Sequence, residues 1–275
     1  MSTLKVGGIR GVSASSDAIT VANDGTCTAN ITNNLSNRNL IINGAMLVAQ
    51  RATSMNTGDG FAVDRFKLEI NNTDENPTLT QADIVSGTTP YTLGFRKSWK
   101  VQNGNQTSGA GSTDRLQLQY RFEAQDIASS GWNYLSASSF ITLSFYIKSS
   151  IAQNFFGLLM SIDGTQQNFP FETGSLSADT WTRVTKTIPG NSNLTFDNNN
   201  GEGLKLEIHM FRGTANTAST VTLNQWAAFD TATRTPDQTT TWYTTNNATI
   251  EITGVQFEVG SVATDFEFKS FGQEL

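Results

Sequence analysis

The stretch Ile141-Thr142-Leu143-Ser144-Phe145-Tyr146-Ile147-Lys148-Ser149 is apolar at alternate positions. A period of two puts Ile141, Leu143, Phe145 and Ile147 on one face of an extended strand and Thr142, Ser144, Tyr146 and Lys148 on the other. The same alternation runs through Leu116-Gln117-Leu118-Gln119-Tyr120-Arg121-Phe122-Glu123. It returns at Ala62, Asp64, Phe66, Leu68 and Ile70, and at Phe156, Leu158 and Met160. Further runs hold Val184 and Ile188, then Leu204, Leu206, Ile208 and Met210, and a last one spans 250–259. Turn pairs such as Asp163-Gly164 and Pro189-Gly190 separate them. About seven or more such strands predict an all-β fold, a two-sheet β-sandwich of Greek-key or jelly-roll type over residues 39–275. Only 125–130 and 225–231 allow a short helical turn. The expected inter-sheet core is Phe66, Leu68, Leu118, Phe122, Leu143, Phe145, Leu158, Leu206 and Ile208. Asp64 shares the face of Phe66 in this reading and so needs hydrogen-bond donors at the sandwich edge.

Composition agrees with many short strands. Of 275 residues, 37% are hydrophobic and 15% charged. Both are low for a globular enzyme, the balance being Thr, Ser, Asn and Gly. The net charge of −6 offers no basic footprint for nucleic acid. The one cysteine, Cys27, excludes an internal disulfide. No run approaches the roughly 20 apolar residues that a spanning helix needs. Residues 1–5 lack the apolar stretch of a signal peptide, so the chain is expected to be made in a cytoplasm.

Residues 1–38 read differently. They contain no aromatic residue and carry short apolar pairs at Leu4/Val6 and Ile19/Val21, with a third at Ala29/Ile31. Strands this short cannot cover their apolar faces within one chain. The segment reads either as a disordered tail or as an attachment or oligomerisation arm ordered by its partners; the second is expected, with a homotrimer as the arrangement and Cys27 a small buried hydrophobe near the axis.

Catalytic chemistry has few places to reside. The single histidine, His209, alternates with Lys205, Glu207 and Phe211, which predicts an exposed ring on a polar strand face. No zinc ligand set, nucleophile elbow or phosphate loop is present. Glu123 and Glu207 are the candidates for a glycosidase carboxylate pair, and both read more simply as solvated sheet residues. Asp197, Asn199 and Glu202 surround an Asn-Gly turn and could wrap a structural calcium, although a plain turn explains the same residues. No other cofactor is expected. Among the five tryptophans, three or more are expected to pack internally. Trp242 and Tyr243, in a Thr-rich stretch, are the sugar-stacking candidates, with Asn246 as a directional hydrogen-bond partner.

A family resemblance adds to this. The segment Asn39-Leu40-Ile41-Ile42-Asn43-Gly44, then Gln50-Arg51 and Val63-Asp64-Arg65-Phe66, resembles the opening of phage virion proteins of tail-fibre or appendage type from marine and cyanobacterial phages. The likeness continues through Arg121-Phe122-Glu123, the strand from Ile141 to Ser149, Trp181-Thr182-Arg183 and Thr187-Ile188-Pro189-Gly190. It extends to Ile252-Thr253-Gly254-Val255-Gln256-Phe257-Glu258-Val259-Gly260, Ala263-Thr264 and Phe266-Glu267. The arm, through Ser15-Ser16-Asp17-Ala18-Ile19-Thr20 and Asp24-Gly25-Thr26-Cys27-Thr28, is similar to the N-termini of such proteins. The resemblance implies a virion location, a jelly roll like those of carbohydrate-binding modules, and trimers. The chain lacks a long shaft, so a tail fibre, a head fibre, a capsid decoration and a collar component all fit. The expected function is a non-enzymatic virion appendage, docked to other virion proteins through its arm and touching host surface glycan. A dedicated carbohydrate-binding protein is the alternative, and a glycan depolymerase a distant third.

Overall fold

The computed structural model describes residues 6–15, 17–23, 27–29 as backbone only, and 37–275. The chain divides into two compact units, Met1–Arg38 and Asn39–Leu275. In the first, β1 (Gly8–Ile9), β2 (Ile19–Val21) and β3 (Cys27–Ala29) form a small antiparallel sheet in that order. Ile9 pairs with Ile19, which also pairs with Ala29, and Val21 pairs with Cys27. An Arg10–Asp17 ion pair of 2.8 Å bridges the β1–β2 connection. Ile19 and Val21 are half-buried, whereas Val6 and Ile9 are about half exposed. Leu4, Ile31 and the side chain of Cys27 lie outside the described residues.

The second unit is a two-sheet β-sandwich. Its strands are β4 (Ser54–Met55), β5 (Gly60–Val63), β6 (Phe66–Asn71), β7 (Thr78–Asp83), β8 (Lys97–Gln102), β9 (Arg115–Glu123), β10 (Phe140–Ser149), β11 (Asn154–Ser161), β12 (Gln167–Ser175), β13 (Thr182–Pro189), β14 (Glu202–Arg212), β15 (Ala227–Ala228) and β16 (Thr249–Val259). One sheet has the order β13-β10-β16-β8-β7-β4 and the other β15-β12-β11-β14-β9-β6-β5. Every neighbouring pair is antiparallel. Strands distant in sequence lie side by side, with β16 between β10 and β8 and β14 between β11 and β9, as a jelly roll requires.

The alternating apolar residues meet between the sheets. Phe66, Leu68, Leu118, Phe122, Leu143, Phe145, Leu206 and Ile208 join one continuous buried cluster. Leu158 is buried but stands on the opposite face. Its partner across the ladder is Glu207, whereas Leu159 pairs with the core residue Leu206. The expected register of β11 was therefore one residue out. The strand is apolar on both faces, so alternation could not choose between them. The run from Ala62 to Ile70 is likewise not one strand. Val63 pairs with Phe66 across a tight turn at Asp64 and Arg65, with Arg65 at φ +73°. Asp64 sits half-buried at this edge, where its carboxylate accepts from Gln50 N at 3.3 Å. A helical turn forms at Ala124–Ala128, overlapping the first region that allowed one. The second region instead holds β15.

Asn39, Asn43 and Gly44 act as a structural clasp. Asn39 Oδ1 accepts from Ile41 N and Phe257 N, and its Nδ2 donates to Val255 O. Asn43, at φ +61°, donates through Nδ2 to Val48 O and Asp64 O and accepts from Val48 N. Gly44 lies so close to β16 that a Cβ there would stand 2.1 Å from Val255 O. The segment after β16 folds back over the same region. Glu267 accepts from Asn39 N at 2.8 Å, Lys269 donates to Asn39 O at 2.9 Å, and Glu274 accepts from Asn43 N. This returning segment also covers the polar face of β10 and β16. Thr142 Oγ1 donates to Gly260 O, Gln256 Oε1 accepts from Glu267 N, and Glu258 accepts from Thr264 N.

Candidate functional site

The outer face of the seven-stranded sheet carries rows set by the strand register, polar on β6, β9 and β14 and largely apolar on β11. One row reads Lys67, Gln119, Glu207, Leu158 and Pro170 from β6 to β12. The next reads Glu69, Gln117, His209, Phe156 and Glu172. A third runs Arg121, Lys205, Met160, Asn168 and Ala227, from β9 to β15. With strands roughly 4.8 Å apart, Arg121 and Asn168 stand about 14 Å from one another along this row.

The centre of the face is closed. His209, Glu207, Gln117, Gln119 and Arg212 are all 2% exposed or less. Glu207 accepts from Arg212 at 2.8 Å and lies 3.1 Å from His209 Nε2. Arg212 also donates to Gln117 Oε1 at 2.5 Å. Glu69 accepts from Gln117, Gln119 and Arg115. From above, Gln238 lies 3.2 Å from His209 Nδ1 and accepts from Arg212 N. Burial, and then the charge of Arg212, push the His209 pKa down to about 4, so the ring is neutral at pH 7. For Glu207, burial acts to raise the pKa, but the His209 hydrogen bond and Arg212 outweigh it and hold the carboxylate ionised. Burial lowers the Arg212 pKa to about 10, which leaves it charged. The exposed ring expected from alternation is thus corrected. The polar face of β14 is polar because a buried ion pair occupies it, beneath the loop that follows the strand.

Each edge of the face opens into a cleft. At the β12–β15 edge, Trp226 lines two adjoining clefts of about 290 and 610 Å³. Its ring is fixed by a 2.7 Å bond from Nε1 to Pro189 O and by Phe169, 5.3 Å away. The first cleft also holds Asn168, Thr222, Gln225 and Arg234, and the second Gln167, Asn193 and Thr195. The Asn168 amide is buried, with neither its nitrogen nor its oxygen partnered. At the β5–β6–β9 edge, a cleft of about 470 Å³ is lined by Arg51, Phe61, Arg65, Lys67, Gln119 and Arg121.

The residues expected to bind sugar lie elsewhere. Trp242 and Tyr243 fall on a short helix, Thr241–Thr244, and both are fully buried. Trp242 Nε1 donates to Thr249 O at 3.0 Å, and Tyr243 stacks on Phe211 at 4.4 Å and donates its hydroxyl to Asp114. Neither ring offers a face to a saccharide, which corrects that expectation. The Thr-rich stretch is helical, and both polar tips find internal acceptors. Asn246 is exposed beside them. Trp99 and Trp132 are also buried, so three of the five tryptophans pack internally.

Asp197 and Asn199 are exposed, and Asn199 Oδ1 caps its own turn by accepting from Gly201 N at 2.8 Å. Glu202 faces Arg121 and Lys205, each at 3.4 Å, so its charge is shared with two cations. Among the described residues no three His, Cys, Asp or Glu side chains converge as a metal-ligand group. The expectation also passed over Trp226, Asn168 and the basic cleft. The available signal was that β6, β9 and β14 all place polar residues at alternate positions, at Lys67/Glu69, Gln117/Gln119/Arg121 and Lys205/Glu207/His209.

No family model matches the chain, and no curated protein matches it in sequence. Solved structures share its broad architecture at low identity. Tailspike protein 4 of bacteriophage CBA120, in its enzymatically active domain, is 8% identical with a TM-score of 0.40. That match covers 80% of this chain and 21% of the tailspike chain, so the chain spans about a fifth of that protein. The tripod from the baseplate of bacteriophage Tuc2009 is 15% identical, with a TM-score of 0.37 and coverage of 91% and 64%. The N-terminal cellulose-binding domain of Cellulomonas fimi β-1,4-glucanase C is 10% identical, with a TM-score of 0.35 and coverage of 72% and 90%. Likenesses at this level carry no functional inference.

Proposed function

We propose that the chain is a glycan-binding, non-enzymatic component of a bacteriophage appendage, with Met1–Arg38 as its attachment arm and the sandwich turned to the host surface. The observation that carries the glycan part is Trp226. Its ring is immobilised at the rim of two polar clefts, so little freedom is lost when a sugar stacks on it. The surrounding Thr, Gln and Asn side chains supply the donors and acceptors that ring hydroxyls need. The buried Asn168 amide adds one unsatisfied donor and one acceptor to the same cleft. A hydrolytic role has less support, because Glu207 is closed off from solvent and committed to Arg212 and His209. The virion role draws on the sequence resemblance and on the half-covered apolar residues of the arm.

The test is a glycan array probed with the purified chain and with Trp226→Ala. Binding to at least one polysaccharide, weakened tenfold or more by the substitution at unchanged melting temperature, is the expected result. Binding that ignores Trp226, or no binding to any glycan, overturns the proposal. Gold-labelled antibody against the sandwich, applied to intact particles, tests the appendage part and should decorate a fibre, collar or capsid projection.

A further inference from the structure

At the opposite edge of the same sheet, four cationic side chains converge. Arg51, Arg65, Lys67 and Arg121 line one cleft with Phe61 and Gln119, and no carboxylate lines it. The whole chain is acidic, at −6, so this clustering is local and runs against the overall charge. Acidic groups do stand nearby and neutralise part of it. Lys67 pairs with Asp59 at 2.8 Å, and Arg121 with Glu202 at 3.4 Å. Asp126 acts on Arg65 only at longer range, its own carboxyl held above the usual range by burial and by Glu123. Arg51 and Arg65 have no ion-pair partner among the described residues. Arg51 instead has its guanidinium carbon over the Phe61 ring, 4.7 Å from the ring centre, a cation–π contact that leaves its N–H groups free of any ion pair among the described residues.

The backbone at Arg65 adds an independent observation. Eight non-glycine residues have positive φ among the described residues, and six of them are Asn or Asp. Those side chains tolerate the left-handed region. The exceptions are Met46, which is core, and Arg65, which is exposed in the β5–β6 turn. A turn satisfied by glycine or asparagine instead carries a long cation toward the cleft.

We propose that this cleft is a second subsite, which binds the anionic substituent of an acidic saccharide. The inference rests on the glycan-binding reading of the sheet face and adds the charge of the ligand. The cleft of about 470 Å³ falls in the range of small-ligand sites. Arg51 and Arg65 present planar forks suited to a carboxylate, sulfate or phosphate, while Gln119, buried and bonded to Glu69 and Arg121, forms the floor beneath them. A nucleic-acid backbone fits less well, since it requires a stripe of cations along many phosphates rather than one short cleft.

The experiment is a titration with charge-matched oligosaccharides. Oligogalacturonate, a chondroitin sulfate oligosaccharide and a glycerol-phosphate teichoic oligomer present carboxylate, sulfate and phosphate, and fully methyl-esterified oligogalacturonate is the neutral control. The wild-type chain should bind at least one anionic probe tenfold or more tighter than the neutral control, and 0.5 M salt should remove that preference. Arg51→Gln and Arg51→Gln/Arg65→Gln should abolish the preference while the melting temperature and any neutral-glycan affinity stay the same. Equal binding of charged and neutral probes, or a preference that survives the double variant, overturns the anion subsite and leaves the Trp226 reading intact. A double variant that loses neutral binding too shows that the cleft holds sugar rings rather than charge, and also overturns it. No binding to any of these probes overturns the anion subsite, while the Trp226 reading is decided separately by the glycan array.

Discussion

His209 Nε2 lies 3.1 Å from a carboxylate oxygen of Glu207, two residues earlier on the same strand, and both side chains are shut off from water. Around them stand Arg212, in contact with both, Gln238 and Gln117, with Arg234 acting at longer range. The imidazole is held neutral, with a folded pKa of about 4 against 6.5 in the unfolded chain. Above pH 6.5 neither state binds the proton. As pH falls from 6.5 towards 4, the unfolded chain takes it up first, so stability falls across that window by roughly 3 kcal/mol. Below about pH 4.5 the unfolded Glu207 also gains a proton that the folded carboxylate refuses, and the decline continues. Chemical denaturation from pH 8 to 4 measures this. His209→Gln should flatten the curve between pH 6.5 and 4.5, and an unchanged slope would show that other groups govern the acid limb.

Glu207→Gln tests the same cluster from the other side. It leaves the Arg212 guanidinium buried without its counter-charge, at an expected cost of about 3–5 kcal/mol. Urea unfolding at pH 7 measures it. A loss below about 1 kcal/mol would mean that Arg212 finds water or another acceptor.

Leu143 and Phe145 lie at the middle of β10, fully enclosed between the sheets. Truncation of either to Ala should cost about 2–5 kcal/mol. The same change at Thr142, which faces the returning C-terminal segment, should be milder, because it loses only the bond to Gly260 O. Equal losses at Leu143 and Thr142 would contradict the assigned faces.

Gly44→Ala places a methyl group against Val255 O, a backbone atom in a central strand that cannot swing aside. The expected loss is about 1–3 kcal/mol. Gly87→Ala is the contrasting control: a Cβ there meets nothing within 4 Å, so only its φ of +85° resists the change. If Gly44→Ala melts no lower than Gly87→Ala, the close approach of the clasp to β16 is not as described.

Deletion of residues 1–38 should leave a folded sandwich, since residues 39–275 form a compact unit with its own core. The truncated chain is expected to lose its self-association, trimeric in the arrangement proposed for the arm, and to fail to join virions. Three copies would cover Ile19 and Val21 against one another, a burial that the short β1–β3 sheet does not complete alone. Sedimentation of the two forms and their recovery on purified particles provide the measurement. An unchanged mass and unchanged incorporation would remove the arm from both roles.

Fold class was legible in the sequence because alternation is a local property. A run such as Ile141 to Ile147 states its period without reference to any other strand, and the core positions of β9, β10 and β14 follow from it. Faces became unreadable where both sides of a strand are covered. Leu158 and Leu159 are equally apolar, and only the ladder to Glu207 and Leu206 assigns them. The same limit hid the candidate site. Its clefts combine β5, β6 and β9 at one edge and β12, β15 and the loop after β14 at the other, and no sequence window holds either set. Trp242 and Trp226 are the same residue type in similarly polar surroundings. Burial separates them, and burial depends on which distant segments pack above each ring. The sequence by itself therefore determined the all-β class, the two-sheet sandwich and the core faces of β9, β10 and β14. The tertiary structure alone decided that His209 is enclosed, that Asn43 is a clasp, and which aromatic rings and cations a ligand can reach.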